Sequence, residues 1–380
     1  MKKRRFSLAA SVILALALLA MTGCGADTVD YGTCGADGDN LKWKLDSEGV
    51  LTIKGKGAME DYSYDNDAPW YIERSDINKI VIESGVTSIG DWAFYECSNF
   101  VEVTIPEGVT DIGNGAFSGC SGLAEMTIPA GVTHIGESAF SSGSGLAKIL
   151  IPDSVTGIDV HAFAGCSSLE RVTIPEGVSS ISGFAFHGCN SLVEVTIPDG
   201  ATDIGERAFL DCTSLEEVKI PDGVTSIGGY AFADCTSIES VTIPNSVTSI
   251  IGGTFSGCNN LIEITLPDGA TDIGDYAFAD CTSLKNIAIP NSVASIGQSA
   301  FSGCSSLVEI TIPDRVESIG NWAFSWCDCL TSIMVDNSNQ MFISKDGILY
   351  TKDMKQLLCC PGGKTGTISI PDDVTSIGSS

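Results

Sequence analysis

Hydrophobic positions recur along this chain with one fixed period, the length of the unit LEEVKIPDGVTSIGGYAFADCTS from Leu215 to Ser237, its clearest copy. Leu215, Val218, Ile220, Val224, Ile227, Ala231 and Phe232 are the apolar positions, and polar residues separate them. The phenylalanine returns without insertion or deletion at Phe94, Phe117, Phe140, Phe163, Phe186, Phe209, Phe232, Phe255, Phe278, Phe301 and Phe324. Eleven copies in one register predict a solenoid, in which each coil contacts only its neighbours. Within a coil, Leu215, Val218 and Ile220 face inward from a short strand. Pro221-Asp222-Gly223 turns the chain, with Gly223 free to take a positive φ. Val224 and Ile227 face inward from a second extended segment, and Ala231-Phe232 opens a compact helical segment that closes the coil. Strands of successive coils pair in parallel about 4.8 Å apart.

Both ends of the array depart from the pattern. Asp27 to Asn40 is rich in Gly and Asp and reads as a tether. Leu41, Trp43 and Leu45 then alternate with lysines, a turn follows at Asp46 to Gly49, and Val50 to Lys54 forms a second strand. This hairpin is expected to cap the open first coil, with Trp43 inward. Pro69 to Arg74 reads as a short helical turn, and Ile77, Ile80 and Ile82 begin the repeat. After Ile333 the register breaks. Two strand-like runs from Phe342 to Cys360, around Thr351-Lys352-Asp353, predict an inserted hairpin. A strand at Thr367 to Ile370 and PDDVTSIG then resume the repeat without a following Ala-Phe.

The first residues predict export. Lys2, Lys3, Arg4 and Arg5 precede an apolar run from Phe6 to Met21, the layout of a signal peptide. Met21-Thr-Gly-Cys24 resembles a bacterial lipobox, which implies lipidation at Cys24; plain cleavage and a retained anchor are the alternatives. The expected organisation is therefore a signal over 1–24, tether and cap over 25–76, the array over 77–335, and an insertion with an incomplete repeat over 336–380. The formal net charge is −28. A nucleic-acid partner is excluded on that ground, since phosphate binding needs a basic surface.

Ten cysteines lie three residues after the phenylalanine, and Gly143 fills the slot in the eleventh copy. They are expected to be buried reduced thiols, with disulfides between adjacent coils as the alternative. No metal site is expected, because CxxC pairs are lacking and His134, His161 and His187 occupy three different columns. Asp61, Asp65 and Asp67 match no calcium-loop spacing and read as a solvated acidic loop, with calcium binding as the alternative. No cofactor is implied. The chain also lacks GxSxG and HExxH, so no catalytic residue is assigned.

The pattern LxxVTIPxGVTxIGxxAFxxC resembles the BspA-like bacterial surface leucine-rich repeat, the Treponema pallidum type, from Ile77 to about Ile333. The segment GDNLKWKLDSEGVLTIKGKGAM through DAPWY is similar to the leading segment of such proteins in gut bacteria. The resemblance implies a right-handed leucine-rich-repeat β/α coil stack and an extracellular adhesion or host-protein-binding role at the cell surface. The membrane would be met through the lipid anchor only. A structural spacer of the envelope, or the repeat part of a larger secreted hydrolase, are the alternatives.

Specificity must sit in the columns that vary. One outward strand column reads Glu102, Glu125, Lys148, Arg171, Glu194, Glu217, Ser240, Glu263, Asn286 and Glu309. Glutamates stacked about 5 Å apart repel by under about 1 kcal/mol per pair in water. An acidic stripe that includes Glu194 and Glu217 is thus tolerable, with a basic patch at Lys148 and Arg171. The column two before the phenylalanine carries Trp92, Phe184, Arg207, Tyr230, Tyr276 and Trp322 as contact candidates, with packing between coils as the competing role. GFAFHGCNSLVEVTIPDGATDIG from Gly183 recurs in near-copy three repeats later, at Gly252. Such block copying suits a multivalent surface or a spacer better than a single active site.

Overall fold

A computed structural model describes residues 27–63 and 66–378. The signal segment over 1–24 with Cys24, and Tyr64 and Asp65 of the acidic loop, lie outside the described residues. The chain forms a solenoid whose coils contribute two short strands apiece, except that residues 285–289 form no first strand. The first strands pair in parallel and in register: Arg171 lies opposite Glu194 and Glu194 opposite Glu217, and Val172, Val195 and Val218 follow the same order. The second strands do likewise, through Ser180, Asp203 and Ser226. Each partner lies one full repeat from the last, so the sequence period and the ladder register coincide. The expected inward positions are buried: Leu215, Val224, Ala231 and Phe232 have no exposed surface, and Ile227 has 2%.

The phenylalanines form one interior file. Phe186 and Phe209 lie with ring centroids 5.4 Å apart and planes 3° from parallel. The spacing across the whole file runs from 5.2 Å at Phe94–Phe117 to 5.9 Å at Phe255–Phe278. Rings held at one strand repeat cannot sit face to face without offset, and offset stacking is the favourable arrangement.

The segment around Ala-Phe is not helical. The helix among the described residues is one 3-10 turn at Arg74–Asp76, which begins at the last residue of the expected Pro69 to Arg74. Around each phenylalanine, amide bonds alternate in direction. Phe184, Phe186 and Gly188 donate to the next coil, at Glu206, Ala208 and Leu210. Ala185, His187 and Cys189 donate back within their own turn, to Ser182, Phe184 and Phe186. A helix would direct all of these donors inward along itself. The alternation is produced by two left-handed residues per coil, two before and two after the phenylalanine, as at Arg207 (φ 56°) and Asp211 (φ 61°). The Pro-Asp-Gly turn also differs from expectation. Val224 donates to the Pro221 carbonyl at 3.0 Å, and Gly223 is not among the positive-φ residues. This is an ordinary turn that any small residue fits. Ser154 and Ser292 stand at that position and donate to the preceding coil at 2.6 Å.

At the N-terminal end, residues expected to be tether form a strand. β1 (Thr28–Gly35) pairs antiparallel with β2 (Gly38–Asp46), which pairs with β3 (Val50–Gly55). β3 then joins the array in parallel, Leu51 opposite Ile80. The sparse apolar content of β1 hid it, because one face of that strand is exposed, with Tyr31 at 76%. Trp43 is buried as expected, but the residue that continues the ring file is Trp70. It stacks on Phe94 at 5.6 Å and meets Trp43 edge-on at 5.7 Å. Its indole Nε1–H donates to the Ala93 carbonyl at 2.8 Å. In later coils the equivalent carbonyl accepts a phenylalanine amide, as Ala116 does from Phe94. The indole thus closes a bond that the array would otherwise leave open at its first coil.

Beyond Val335 the insertion has three strands where two were expected: Phe342–Lys345, Ile348–Thr351 and Gln356–Cys359. The first two turn through Asp346 and Gly347, both at positive φ, an Asp-Gly signal for a tight hairpin. Thr367 to Ile370 forms no strand, whereas Ser376–Ile377 pairs in parallel with Gln356 and Leu357.

Removing one ring from the file should leave a cavity that the coils above and below cannot close. Phe209→Ala is expected to cost about 3–5 kcal/mol in urea unfolding. A loss under about 1 kcal/mol would show that the file does not carry the packing. Trp70→Phe keeps the stack and strips the indole bond; about 1–3 kcal/mol should be lost.

Candidate binding surfaces

The varied column two before the phenylalanine is set on identical backbone. All eleven of its residues are left-handed, from Trp92 (φ 54°) to Trp322 (φ 58°). Where neighbouring coils both carry large side chains, the column becomes a line of groups in contact. His161 stacks on Phe184 with centroids 4.6 Å apart. The Arg207 guanidinium lies 5.3 Å from the Phe184 ring and 5.2 Å from the Tyr230 ring, within cation–π range of both. Arg207 also pairs with Glu206 at 2.8 Å. Tyr230 ends this run by lying over Gly253, where an added Cβ would come within 2.3 Å of the ring. Trp92 covers Gly115 in the same way, at 2.6 Å.

The column therefore divides. Trp92, Phe184, Arg207 and Tyr230 are half-buried and pack between coils. Tyr276 and Trp322 are 39% and 46% exposed. The Tyr276 hydroxyl accepts from Gln298 Nε2 at 2.8 Å, which holds its ring at the surface. A second left-handed column, two after the phenylalanine, was not singled out from sequence. It carries Glu96, Asp211, Asp234, Asp280 and Trp326, the last of which is 78% exposed. Its fixed spacing from the phenylalanine was the available signal. Burial first, then the charges of Asp211 and Asp280, push the Asp234 carboxyl above its ordinary range.

On the flat sheet, Glu125, Lys148, Arg171, Glu194 and Glu217 lie side by side on successive strands, all exposed. Arg171 pairs with Glu194 of the next coil, and Lys79 with Glu102 at 2.7 Å. Exposed pairs of this kind contribute up to about 1 kcal/mol each. The basic patch has an apolar floor, because Leu150 stands where most coils carry threonine and is 53% exposed. A shallow depression of about 310 Å³ opens there between Lys148, Leu150, Arg171 and Thr173.

The histidines do not converge. His134 bonds Asp159 at 2.9 Å, His187 lies 3.4 Å from Asp211, and His161 stacks on Phe184. Among the described residues no three His, Cys, Asp or Glu side chains gather to hold a metal ion. The column cysteines are free and buried. From Cys120 onward each thiol donates to the phenylalanine carbonyl of the preceding coil, as Cys120 Sγ does to Phe94 at 3.1 Å and Cys212 to Phe186 at 3.2 Å. Burial pushes the Cys166 and Cys258 thiols up to about 12. They are hydrogen-bonded small apolar groups, not nucleophiles.

With this geometry in view, comparison places the chain among known proteins. The BspA type leucine rich repeat region, in copies of six repeats, matches residues 71–182, 142–262 and 248–354. A leucine-rich repeat protein from Bacteroides ovatus is 27% identical. The match covers 78% of this chain and 93% of that one, with a TM-score of 0.56. A leucine rich cell surface protein from Faecalibacterium prausnitzii is 28% identical over 81% of this chain and 96% of its own, with a TM-score of 0.43. The Treponema pallidum leucine rich repeat protein is 24% identical over 73% and 91%, at 0.34. No curated protein matches.

The thiol arrangement predicts sharply divided reactivity. In mildly alkaline buffer, exposed Cys329 should label rapidly with a disulfide reagent, while the ten column thiols should react only after denaturation. Rapid labelling of column cysteines in the folded protein would refute their burial.

Proposed function

This chain belongs to the BspA-type leucine-rich-repeat family, a repeat fold for protein interaction and not an enzyme family, and from that premise we propose that it is a non-catalytic cell-surface binding or adhesion protein. Its partners in this reading are extracellular proteins, of a host or of neighbouring cells. The observation that carries the reading is the contrast between columns. The core columns stay almost wholly apolar, while the left-handed column beside them changes from serine to histidine, arginine and tryptophan on the same backbone. Its exposed members, Tyr276 and Trp322, have the large rigid surface that protein contacts use. Half-buried Trp92, Phe184, Arg207 and Tyr230 hold the backbone and neighbouring rings that a partner would meet. The acidic stripe with Glu194 and Glu217 steers a basic partner, and Lys148 with Arg171 offers a local acidic contact. Lipidation of Cys24 would hold the chain at the membrane.

The test is binding of the mature chain to purified matrix and bacterial surface proteins. Tyr276→Ala combined with Trp322→Ala should weaken the affinity about tenfold or more, with the melting temperature unchanged. Unchanged affinity in the double variant, or binding to none of those proteins below about 10 μM, would overturn the reading. The second outcome favours an envelope spacer. Separately, Cys24→Ala should move the chain from the membrane fraction to the medium; retention in the membrane would contradict lipid anchoring.

A further inference from the structure

Where the cap meets the first coil, the surface opens into a cavity of about 230 Å³ walled by Tyr62, Tyr71, Trp92 and Tyr95, with Asp67 and Glu96 in its lining. The rings form a corner. Tyr71 and Tyr95 are parallel within 3°, with centroids 6.5 Å apart. Trp92 stands at 82° to Tyr95, 5.2 Å away. Trp92 cannot turn away freely, since it rests on Gly115. No other coil pairs Trp with Tyr at these two positions. The cavity is therefore a single feature of the molecule and not a product of the repeat.

Aromatic faces carry negative electrostatic potential, and Asp67 adds to it, while Glu96 is offset by Arg74. The protein already shows what this environment attracts. The Arg74 guanidinium lies 4.0 Å over the Tyr71 ring and 3.7 Å from Glu96. Among the described residues no ion pair involves Asp67, so its charge is left for a ligand. A hard metal ion does not suit the walls, because it needs six or more oxygen ligands. A cation sheathed in methyl or methylene groups suits them, since it gains from apolar contact and from the ring faces together.

We propose that this cavity binds an organic ammonium group, its carbon sheath against Trp92 and Tyr95 and its charge toward Asp67, beside the Tyr71 ring and Glu96 that Arg74 already engages. The group could be carried by a quaternary ammonium compound or by a lysine side chain; the chemistry recognised is the same. Trp92 is the first member of the varied column, but the site does not depend on Tyr276 or Trp322.

Calorimetry on the mature chain tests this with choline, its uncharged isostere 3,3-dimethylbutan-1-ol, and Nα-acetyl-lysine amide. At least one cation should bind one to one, about tenfold or more tighter than the neutral isostere. Choline ahead of the lysine derivative identifies a quaternary ammonium ligand; the reverse order identifies a protein side chain. Tyr95→Leu and Asp67→Asn should each weaken that binding about tenfold, and Tyr276→Leu, outside the cavity, should leave it unchanged. Asp67→Asn alters no packing, so its effect is read in a folded protein. Equal binding of the neutral isostere, full affinity in Asp67→Asn, or no saturable heat from either cation up to about 20 mM would overturn the proposal. None of these outcomes bears on the Tyr276 and Trp322 test.

Discussion

The amide of each core phenylalanine donates to a carbonyl one coil ahead, and the remainder of the architecture follows from that bond. It runs without a break from Phe94 to Phe301. To point that amide forward, the residues two before and two after must be left-handed, which for non-glycine residues costs about 1–2 kcal/mol each. A net hydrogen bond contributes only about 0.5–1.5 kcal/mol. Three forward bonds per coil, about 1.5–4.5 kcal/mol together, therefore do little more than offset the backbone cost. Burial of the ring file and of the Leu, Val and Ile columns must supply the net stability. That requirement explains the strict period: one inserted residue would misalign every column together. It also explains why the first coil needs Trp70, whose indole supplies both a ring for the file and a donor for Ala93.

Much of this was legible in the sequence. A phenylalanine at one unvarying interval, flanked by Val, Ile and Leu at constant offsets, specifies the stack, the register and the buried face. The cysteine column was legible by the same reasoning. The turn around Ala-Phe was not. An Ala-Phe pair between polar residues is too short for periodicity to separate helix from turn. Glycine would have signalled left-handed backbone, but it occupies only seven of the twenty-two left-handed positions in the array. Arg207, Tyr230 and Trp322 sit in that conformation because the ladder imposes it. β1 was missed because its composition is that of a linker, and its pairing partner β2 lies across a Gly-rich turn. Gly223 misled in the opposite sense, since its turn makes no demand for positive φ.

The binding surfaces were legible only in part. The column of Trp92, Phe184, Arg207, Tyr230, Tyr276 and Trp322 follows directly from the repeat. Which of its members face solvent depends on the neighbour one coil away. Gly253 lets Tyr230 lie down, and Gln298 holds Tyr276 out. Trp326 and Leu150 are exposed because their columns are outward, a fact about the coil's shape and not about their residue types. The interior file fixes where each outward position stands and leaves its chemistry open. Surface variation is therefore cheap in this fold. The large exposed rings gather toward the end of the array, at Trp322 and Trp326, and a second aromatic group forms where the first coil meets the cap, at Trp92 and Tyr95.

Hydrogen exchange across the array, read on short peptides, tests the forward-pointing amide most directly. Peptides spanning the Ala-Phe turns, such as residues 184–189 and 230–235, should exchange as slowly as the strand Glu194–Thr196. An ordinary surface turn would exchange orders of magnitude faster than the strands, and that result would contradict the account.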